Sequence, residues 1–414
     1  MATELERLGD RARAAVKSIA AASSAARDQA LQVAADLLEA GAADLLAANR
    51  ADLERARTDG LGEAALDRLA LDDRRIESMA AGLRTVAALV DPVGEVLDGW
   101  VRPNGLRVQR VRVPLGVVGV IYENRPNVTS DAAGLCLKSG NVAFLRGSSS
   151  AIESNRAIVA ILRGGLSKAG LAEDGVLLVE DTSHETAVEF MRLRKVIDCL
   201  IPRGGRQLIE LLVEHATVPY VLDGDGNCHV YVDQSADLAM ATEIVVNAKT
   251  QRPGVCNAAE SLLVHAAVAE RFLPMVAQAL DGVELCGDAA VRAILPQVSA
   301  ASEEDFATEF LGTRLSVAVV ADLGAAIAHI ERFGSGHSEA IVTNDLRAAD
   351  RFVNEVDAAA VLVNASTRFI DGGELGLGAE VGISTQKLHA RGPMGVRELT
   401  CTKWVVRGEG QVRR

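Results

Sequence analysis

The chain has 414 residues, 49% of them hydrophobic, 24% charged and only 3% aromatic, with a formal net charge of −13. At roughly 150 residues per domain this length predicts two or three domains. The acidic balance argues against bulk binding to nucleic acid or an anionic membrane, which need a basic surface, and the few aromatics weaken any reading built on base stacking. A local basic pocket for a small anion stays open. No apolar run approaches the ~20 residues of a spanning helix, and the opening MATELERLGD lacks the apolar core of a secretory leader. The six cysteines are dispersed with no C-x-x-C pair, which predicts reduced thiols in a cytoplasmic protein and no zinc site.

Residues 1–91 contain no proline, and apolar residues recur at helical spacing, as in Leu31, Ala34, Ala35 and Leu38. This predicts a helical region ended by Asp91-Pro92. The stretch from Val101 to Val113 turns at Asn104-Gly105 and then alternates apolar and charged residues. It predicts a two-stranded ribbon that must pack on something else. Short apolar runs at 117–121, 142–145, 176–179, 196–201 and 218–222 alternate with helical stretches, the pattern of a parallel sheet covered on both faces. A second series has strand candidates at 261–264, 316–320, 340–342 and 360–363. The tail 403–407 reads as a lone strand in need of a partner, one source being another subunit.

Several chemistry-bearing motifs are absent: no Gly-Lys of an ATP-binding loop, no G-x-S-x-G, no H-E-x-x-H. The seven histidines show no metal spacing. Arg146-Gly147-Ser148-Ser149 ends a strand and opens a helix, where free N–H groups favour phosphate. Pro202-Arg203-Gly204-Gly205-Arg206 repeats the arrangement. Two such turns suit a dinucleotide in an open α/β sheet; ordinary turns with capping serines are the competing explanation. In Thr250-Gln251-Arg252-Pro253-Gly254-Val255-Cys256-Asn257, Pro and Gly put Cys256 on an irregular turn. Lys249 and Arg252 beside it would favour a thiolate, the equipment of acyl transfer; the other five cysteines are expected to be inert and buried. Downstream, the glycine-rich stretch 375–385 precedes Lys387, His389 and Arg391, a basic cluster able to hold an anionic substrate or simply a solvated surface.

Three segments together carry a resemblance: Val113 to Thr129 with its Tyr122-Glu123-Asn124-Arg125-Pro126-Asn127 core, the Cys256 loop, and Phe333-Gly334-Ser335-Gly336-His337-Ser338-Glu339. They resemble the γ-glutamyl phosphate reductases (glutamate-5-semialdehyde dehydrogenases) of the aldehyde dehydrogenase superfamily, and the segment from Arg368 to Gly395 matches as well. The resemblance implies an aldehyde dehydrogenase-like α/β fold. A Rossmann-type NADP-binding domain would take 1–99 and 123–222, an α/β catalytic domain 223–395, and a β oligomerisation arm 100–122 and 396–414. It implies reduction of L-glutamate 5-phosphate by NADPH to the semialdehyde and phosphate, in proline biosynthesis, with Cys256 as the acyl-accepting nucleophile. The Cys256 N–H and Asn127, or else Asn124, would form the oxyanion site.

Further implications follow from the same resemblance. Arg146 stands where relatives carry a ribose-binding Lys, and Ser149 where NAD-preferring relatives carry a Glu, so NADPH is the expected cofactor; Glu309 resembles the Glu that holds the nicotinamide ribose. Arg252, Lys387 and Arg391 are the substrate-binding candidates. The water-activating Glu of oxidising relatives is missing from Leu222-Asp223-Gly224-Asp225-Gly226, where only the shorter Asp223 could stand near its place, so slow thioester hydrolysis is expected. A homo-oligomer is implied, and association with the glutamate 5-kinase that makes the substrate stays open. The rival activities are NAD(P)-linked oxidation of another small aldehyde, a non-catalytic nucleotide-binding scaffold and a cysteine hydrolase. The second lacks a reason for the full Cys256 loop, and the third lacks a His placed as base.

Overall fold

A computed structural model of the chain describes residues 3–222 and 224–413. The chain divides into two compact units, Met1–Leu222 with Leu377–Gly382 and Met394–Arg414, and Asp223–Gly376 with Ile383–Pro393.

The first unit opens with the helices Glu4–Ala21, Ser24–Ala40, Ala42–Thr58, Glu63–Leu69 and Asp73–Ala88. Ala, Leu, Arg and Glu favour this conformation, and Thr3 with Glu6, Ser23 and Asp72 cap three of the amino ends. The stripe Leu31, Ala34, Ala35 and Leu38 is at most 2% exposed and lies against the helices Asp73–Ala88 and Ile152–Lys168. Past the last of these helices, Asp91 bonds the guanidinium of Arg27, whose side chain is 2% exposed.

Four parallel strands follow in the order Val176–Leu178, Val142–Arg146, Val117–Tyr122, Cys199–Arg203. Every residue of Val117–Tyr122 and Val142–Arg146 is buried, as a parallel sheet between helical layers requires. Strand order reverses between Val117–Tyr122 and Cys199–Arg203, so the crevice outside their carboxyl ends is the natural ligand position of this sheet. Three sequence expectations need correction. The resemblance assigns residues 117–122 to the arm, yet they form an inner strand of this sheet, as the apolar run 117–121 predicts. The run 196–201 starts its strand only at Cys199, because Val196 and Ile197 pack instead onto Gly9 and Gly119. The run 218–222 contributes a single bridge, Leu200 to Tyr220; Pro219 has no N–H to extend a ladder.

The ribbon forms as Val96–Val101 against Arg107–Pro114, closed by a turn with Gly105 at φ 88°. The tail strand is not alone. Thr400–Arg407 pairs antiparallel with Arg107–Pro114 over its whole length, so its partner lies in its own chain. Asn104-Gly105 fixed the first pairing locally, whereas the second joins segments almost 300 residues apart and left no local pattern to read.

The second unit holds seven parallel strands in the order Ser299–Ala300, Glu284–Gly287, Arg314–Val320, Ala259–His265, Cys228–Val232, Ser338–Val342, Ala360–Val363. Alternate residues supply two cores, Val230, Val232, Leu262 and Val264 on one face and Tyr231, Leu263 and Ile341 on the other. At the carboxyl edge, Asp233 accepts hydrogen bonds from Ser235, Thr343 and Tyr231, so that edge satisfies itself.

Arg27 and Asp91 provide a stability test. Removing one partner of a buried ion pair costs about 3–5 kcal/mol, while removing both costs far less. Arg27→Met is therefore expected to lower the urea midpoint markedly, and Arg27→Met/Asp91→Asn to recover most of it, followed by circular dichroism. Equal midpoints for the single variant and the parent would contradict this role.

Candidate active site

At the carboxyl edge of the four-stranded sheet, Glu123 accepts the Gly205 N–H at 3.0 Å and donates its own N–H to the Arg203 carbonyl at 3.1 Å. Asn124 sits in the left-handed region at φ 45°. Its side-chain oxygen accepts from the hydroxyls of Ser148 and Ser150, and its N–H donates to Ser148 Oγ at 3.2 Å. Asn127 lies exposed on the first turn of Pro126–Lys138 and donates to Asp131 at 3.0 Å. Burial pushes the Asp131 carboxyl up to about 6, against the hydrogen bonds from Asn127 and Ser130 and the charge of Arg203. Gly147 packs on Asn155, which a Cβ would overlap.

The helix following this turn does not offer its free N–H groups to an anion. Asp52, fully buried on the helix Ala42–Thr58, reaches across to accept Ser154 N–H at 2.8 Å, Ser154 Oγ at 2.7 Å and Glu153 N–H at 3.2 Å. This corrects the expected phosphate seat at that helix end: a carboxylate from a distant helix already occupies it. Cationic groups remain. Arg146, 9% exposed, donates to the carbonyls of Thr182 and Ser183 at 2.7 and 2.9 Å, and its Nε is buried with no partner among the described residues. Burial pulls this guanidinium down while Asp181 and Glu123 hold it up. Arg55, with a 38% exposed side chain, bonds Asp52 and the carbonyl of the exposed Ser149 at 3.1 Å. Beyond Asp181, a cavity of about 840 Å³ opens beside Val176–Leu178, lined in part by Leu8, Arg156, Val159, Glu180 and Thr186.

In the second unit the chemistry gathers at the amino ends of the strands. Cys256 is half-buried on the turn between the helix Leu238–Thr250 and the strand Ala259–His265. Its carbonyl accepts the Cys228 thiol at 3.2 Å. Gly226 lies against that carbonyl so closely that any Cβ would overlap it. The Gly226 N–H donates to Glu309 at 2.8 Å. Asn227 is tied to the carbonyls of Phe306 and Phe333 and to Ser335 Oγ, which joins the 333–339 motif to the floor of the nucleophile loop. Arg368 bonds Asn257 and Gln251. Burial and the charge of Arg252 pull its guanidinium down, while Asp371, Cys256 and Glu374 hold it up. A positive charge within reach of a cysteine sulfur favours the nucleophilic anion.

The sequence candidates separate accordingly. Cys256, Arg252 and Glu309 lie in the second unit, where Glu309 holds the Gly226 N–H under the Cys256 carbonyl and Arg368 bonds the adjacent Asn257. Lys249 is not a free cation near the sulfur: it is fully buried and bound to Glu260. Lys387 and Arg391 both pair with the half-exposed carboxylate of Asp357, so their charges are met within the protein. His389 is exposed. Asn124, Asn127, Arg146, Gly147, Ser148, Ser149, Arg203, Gly204 and Gly205 lie in the first unit. Asp223 lies outside the described residues. Arg368, Arg55 and Asp52 were missed as individual site residues; an arginine in the matching segment 368–395 was a signal for the first, and helical residues far from any motif gave none for the others. Among the described residues no helix is long and apolar enough to cross a membrane.

The model of the aldehyde dehydrogenase family matches residues 1–307. A γ-glutamyl phosphate reductase of Clostridium beijerinckii is 53% identical over 99% of this chain and 100% of its own length. One from Moorella thermoacetica is 53% identical over 100% of this chain and 99% of its own. The crystal structure of γ-glutamyl phosphate reductase from Thermotoga maritima superposes with a TM-score of 0.97 at 48% identity, covering 100% of both chains.

The thiols give a direct check. Burial pushes Cys136, Cys199, Cys228 and Cys286 up, away from the reactive anion. Iodoacetamide on the native protein is expected to modify Cys256 and the exposed Cys401 first, by peptide mapping. Inactivation should follow Cys256, and Cys401→Ser should leave its rate unchanged. Inactivation that precedes Cys256 labelling would contradict the assignment.

Proposed function

The chain belongs to the γ-glutamyl phosphate reductase family, and from that premise we propose that it reduces L-glutamate 5-phosphate with NADPH to L-glutamate 5-semialdehyde and phosphate, in proline biosynthesis. The observation that carries the chemistry is Cys256, half-buried on a Pro-Gly turn with Arg368 bound to the adjacent Asn257. Its sulfur attacks the C5 carbonyl carbon, the carbon–oxygen bond to phosphate breaks, and a thioester remains on Cys256. NADPH, held by the residues named below, would supply the hydride that reduces that carbon. Cleavage of the carbon–sulfur bond then frees the aldehyde and regenerates the thiolate. The phosphate is a good leaving group, so the protein's work is positioning and charge stabilisation. Arg252 and Arg368 are the cations proposed for the anionic substrate. Lys387 and Arg391, bound to Asp357, are weaker candidates than the sequence suggested.

Enzymes of the aldehyde dehydrogenase family use NAD(P). The residues present fit such a group: the orphaned Nε of Arg146 is a buried donor at the carboxyl end of a strand, and the exposed Ser149 presents no carboxylate to a 2′-phosphate. Arg55 beside Ser149 is the more exposed cation and adds the charge that favours NADPH over NADH. Glu309 is proposed to hold the nicotinamide ribose. In the same reading the chain acts in the cytoplasm as a homo-oligomer through its three-stranded sheet, where Trp404 and Val406 are 58% and 54% exposed. A labile acyl phosphate also favours hand-over from the glutamate 5-kinase.

Two measurements test this. Given glutamate semialdehyde, phosphate and NADP⁺, the protein should generate absorbance of the reduced cofactor, and prior alkylation should abolish it; a rate independent of phosphate would favour oxidation of another aldehyde to its acid. Arg55→Ala should raise KM for NADP⁺ about tenfold, the scale of one charge-assisted hydrogen bond, and leave KM for NAD⁺ nearly unchanged. An equal rise for both would remove Arg55 from cofactor discrimination.

A further inference from the structure

Lys249 and Glu260 form an ion pair with both side chains 0% exposed. Such a pair is expensive to desolvate and weak grounds for stability, and the chemistry above does not use it. Glu260 lies four residues beyond Cys256, in the strand Ala259–His265. One of its oxygens takes the Lys249 ammonium, and the other accepts the N–H of Leu311 at 3.1 Å. Leu311 has φ 51°, a left-handed backbone that a branched residue keeps only when its surroundings hold it there. The neighbouring Phe310 ring lies 6.0 Å from Lys249 Nζ and 5.1 Å from the Arg314 guanidinium. The strand that follows is keyed to the same residue, since Ser316 Oγ donates to the Glu260 carbonyl at 3.0 Å. The loop is therefore gripped at Phe310 and Leu311, directly beside Glu309, whose carboxylate holds the Gly226 N–H under the Cys256 carbonyl.

We propose that Lys249 and Glu260 are a positioning pair: through Leu311 and Phe310 they set the Glu309 carboxylate relative to the nucleophile loop, and so govern binding of the cofactor's nicotinamide ribose. This rests on the reading of Glu309 as the ribose ligand. The pair touches neither substrate nor cofactor and acts only through the loop. A pair that merely braced the core would alter stability and leave the cofactor constants alone.

The test uses the full chain in two ways: the dissociation constant for NADP⁺ is measured by isothermal titration calorimetry without substrate, and KM for NADP⁺ and kcat are measured separately in the phosphate-dependent reverse assay, the dissociation constant being expected to move with KM in every variant below. Glu309→Gln should raise KM for NADP⁺ about tenfold, the scale of a charged hydrogen bond, with KM for the semialdehyde little changed. Glu260→Ala should show the same split. Glu260→Gln, which keeps an acceptor for Leu311, should lie between it and the parent. Glu260→Ala/Glu309→Gln should be no worse than the worse single variant, because both act at one point. Glu260→Ala strands Lys249 in the core, so Lys249→Met/Glu260→Met is measured beside it; it leaves no buried charge, lacks the Leu311 acceptor, and must show the same rise. If Glu309→Gln leaves KM unchanged, the ribose reading fails and the inference with it. If Glu309→Gln raises KM while the Glu260 variants do not, or if the effects multiply in the double variant, the inference alone is overturned.

Discussion

The backbone of Gly226 and the carbonyl of Cys256 approach so closely that no side chain fits between them. Much of the second unit is arranged around that contact. It requires glycine at 226, fixes the peptide that carries Cys256, and leaves the Gly226 N–H to the Glu309 carboxylate. The Cys228 thiol completes the grip on the carbonyl. Asn227, between Gly226 and Cys228, ties this floor to the loops at Phe306, Phe333 and Ser335. A thiol on a turn would otherwise sample many directions, and near-attack geometry tolerates little misplacement. Here one close backbone contact and three tethered neighbours, Asn227, Cys228 and Glu309, fix the peptide that carries it, and an ion pair out of contact with solvent braces the loop that bears Glu309.

The two units use opposite ends of similar sheets. In the first, the turns singled out by the sequence lie at the carboxyl ends of the strands, the one after Cys199–Arg203 at the point where strand order reverses, which is where open α/β sheets bind ligands. In the second, the carboxyl edge is closed by the hydrogen bonds of Asp233, Ser235 and Thr343, and Gly226, Cys256, Leu311 and Ser335 all stand just before strands. A parallel sheet brings such amino-end loops together however far apart they are in sequence. Cys256, the Glu309 carboxylate and the Arg368 guanidinium meet there although about 110 residues separate Cys256 from Arg368.

Local pattern carried much of the fold and the turn that bears Cys256, but not the partners of the side chains. Continuous apolar runs revealed most parallel strands, Asn104-Gly105 revealed the ribbon, and Pro253-Gly254 put Cys256 on a turn. The runs misplaced at 196–201 and 218–222 were ones where apolar side chains serve packing or a proline blocks the ladder. Lys249 illustrates the limit at the site. Seven residues before Cys256 it looks like an activating cation, yet helical geometry turns it into the core toward Glu260. The capture of a helix end by Asp52 and the stacking of Thr400–Arg407 on Arg107–Pro114 are long-range pairings; neither residue type nor spacing announces them. Lys387 and Arg391 were legible as a basic cluster, but the acid that meets them, Asp357, lies thirty residues away.

The central claim is that Cys256 accepts the γ-glutamyl group as a thioester. The most direct measurement supplies freshly made L-glutamate 5-phosphate to the protein without reduced cofactor, quenches in acid and maps the peptides by mass spectrometry. The account predicts a γ-glutamyl adduct on the Cys256 peptide, formed with release of phosphate, persisting because the segment 222–226 carries no Glu in the place of the water-activating base of oxidising relatives, and discharged on addition of NADPH. Phosphate release with no adduct on Cys256, or an adduct that NADPH does not discharge, would contradict it.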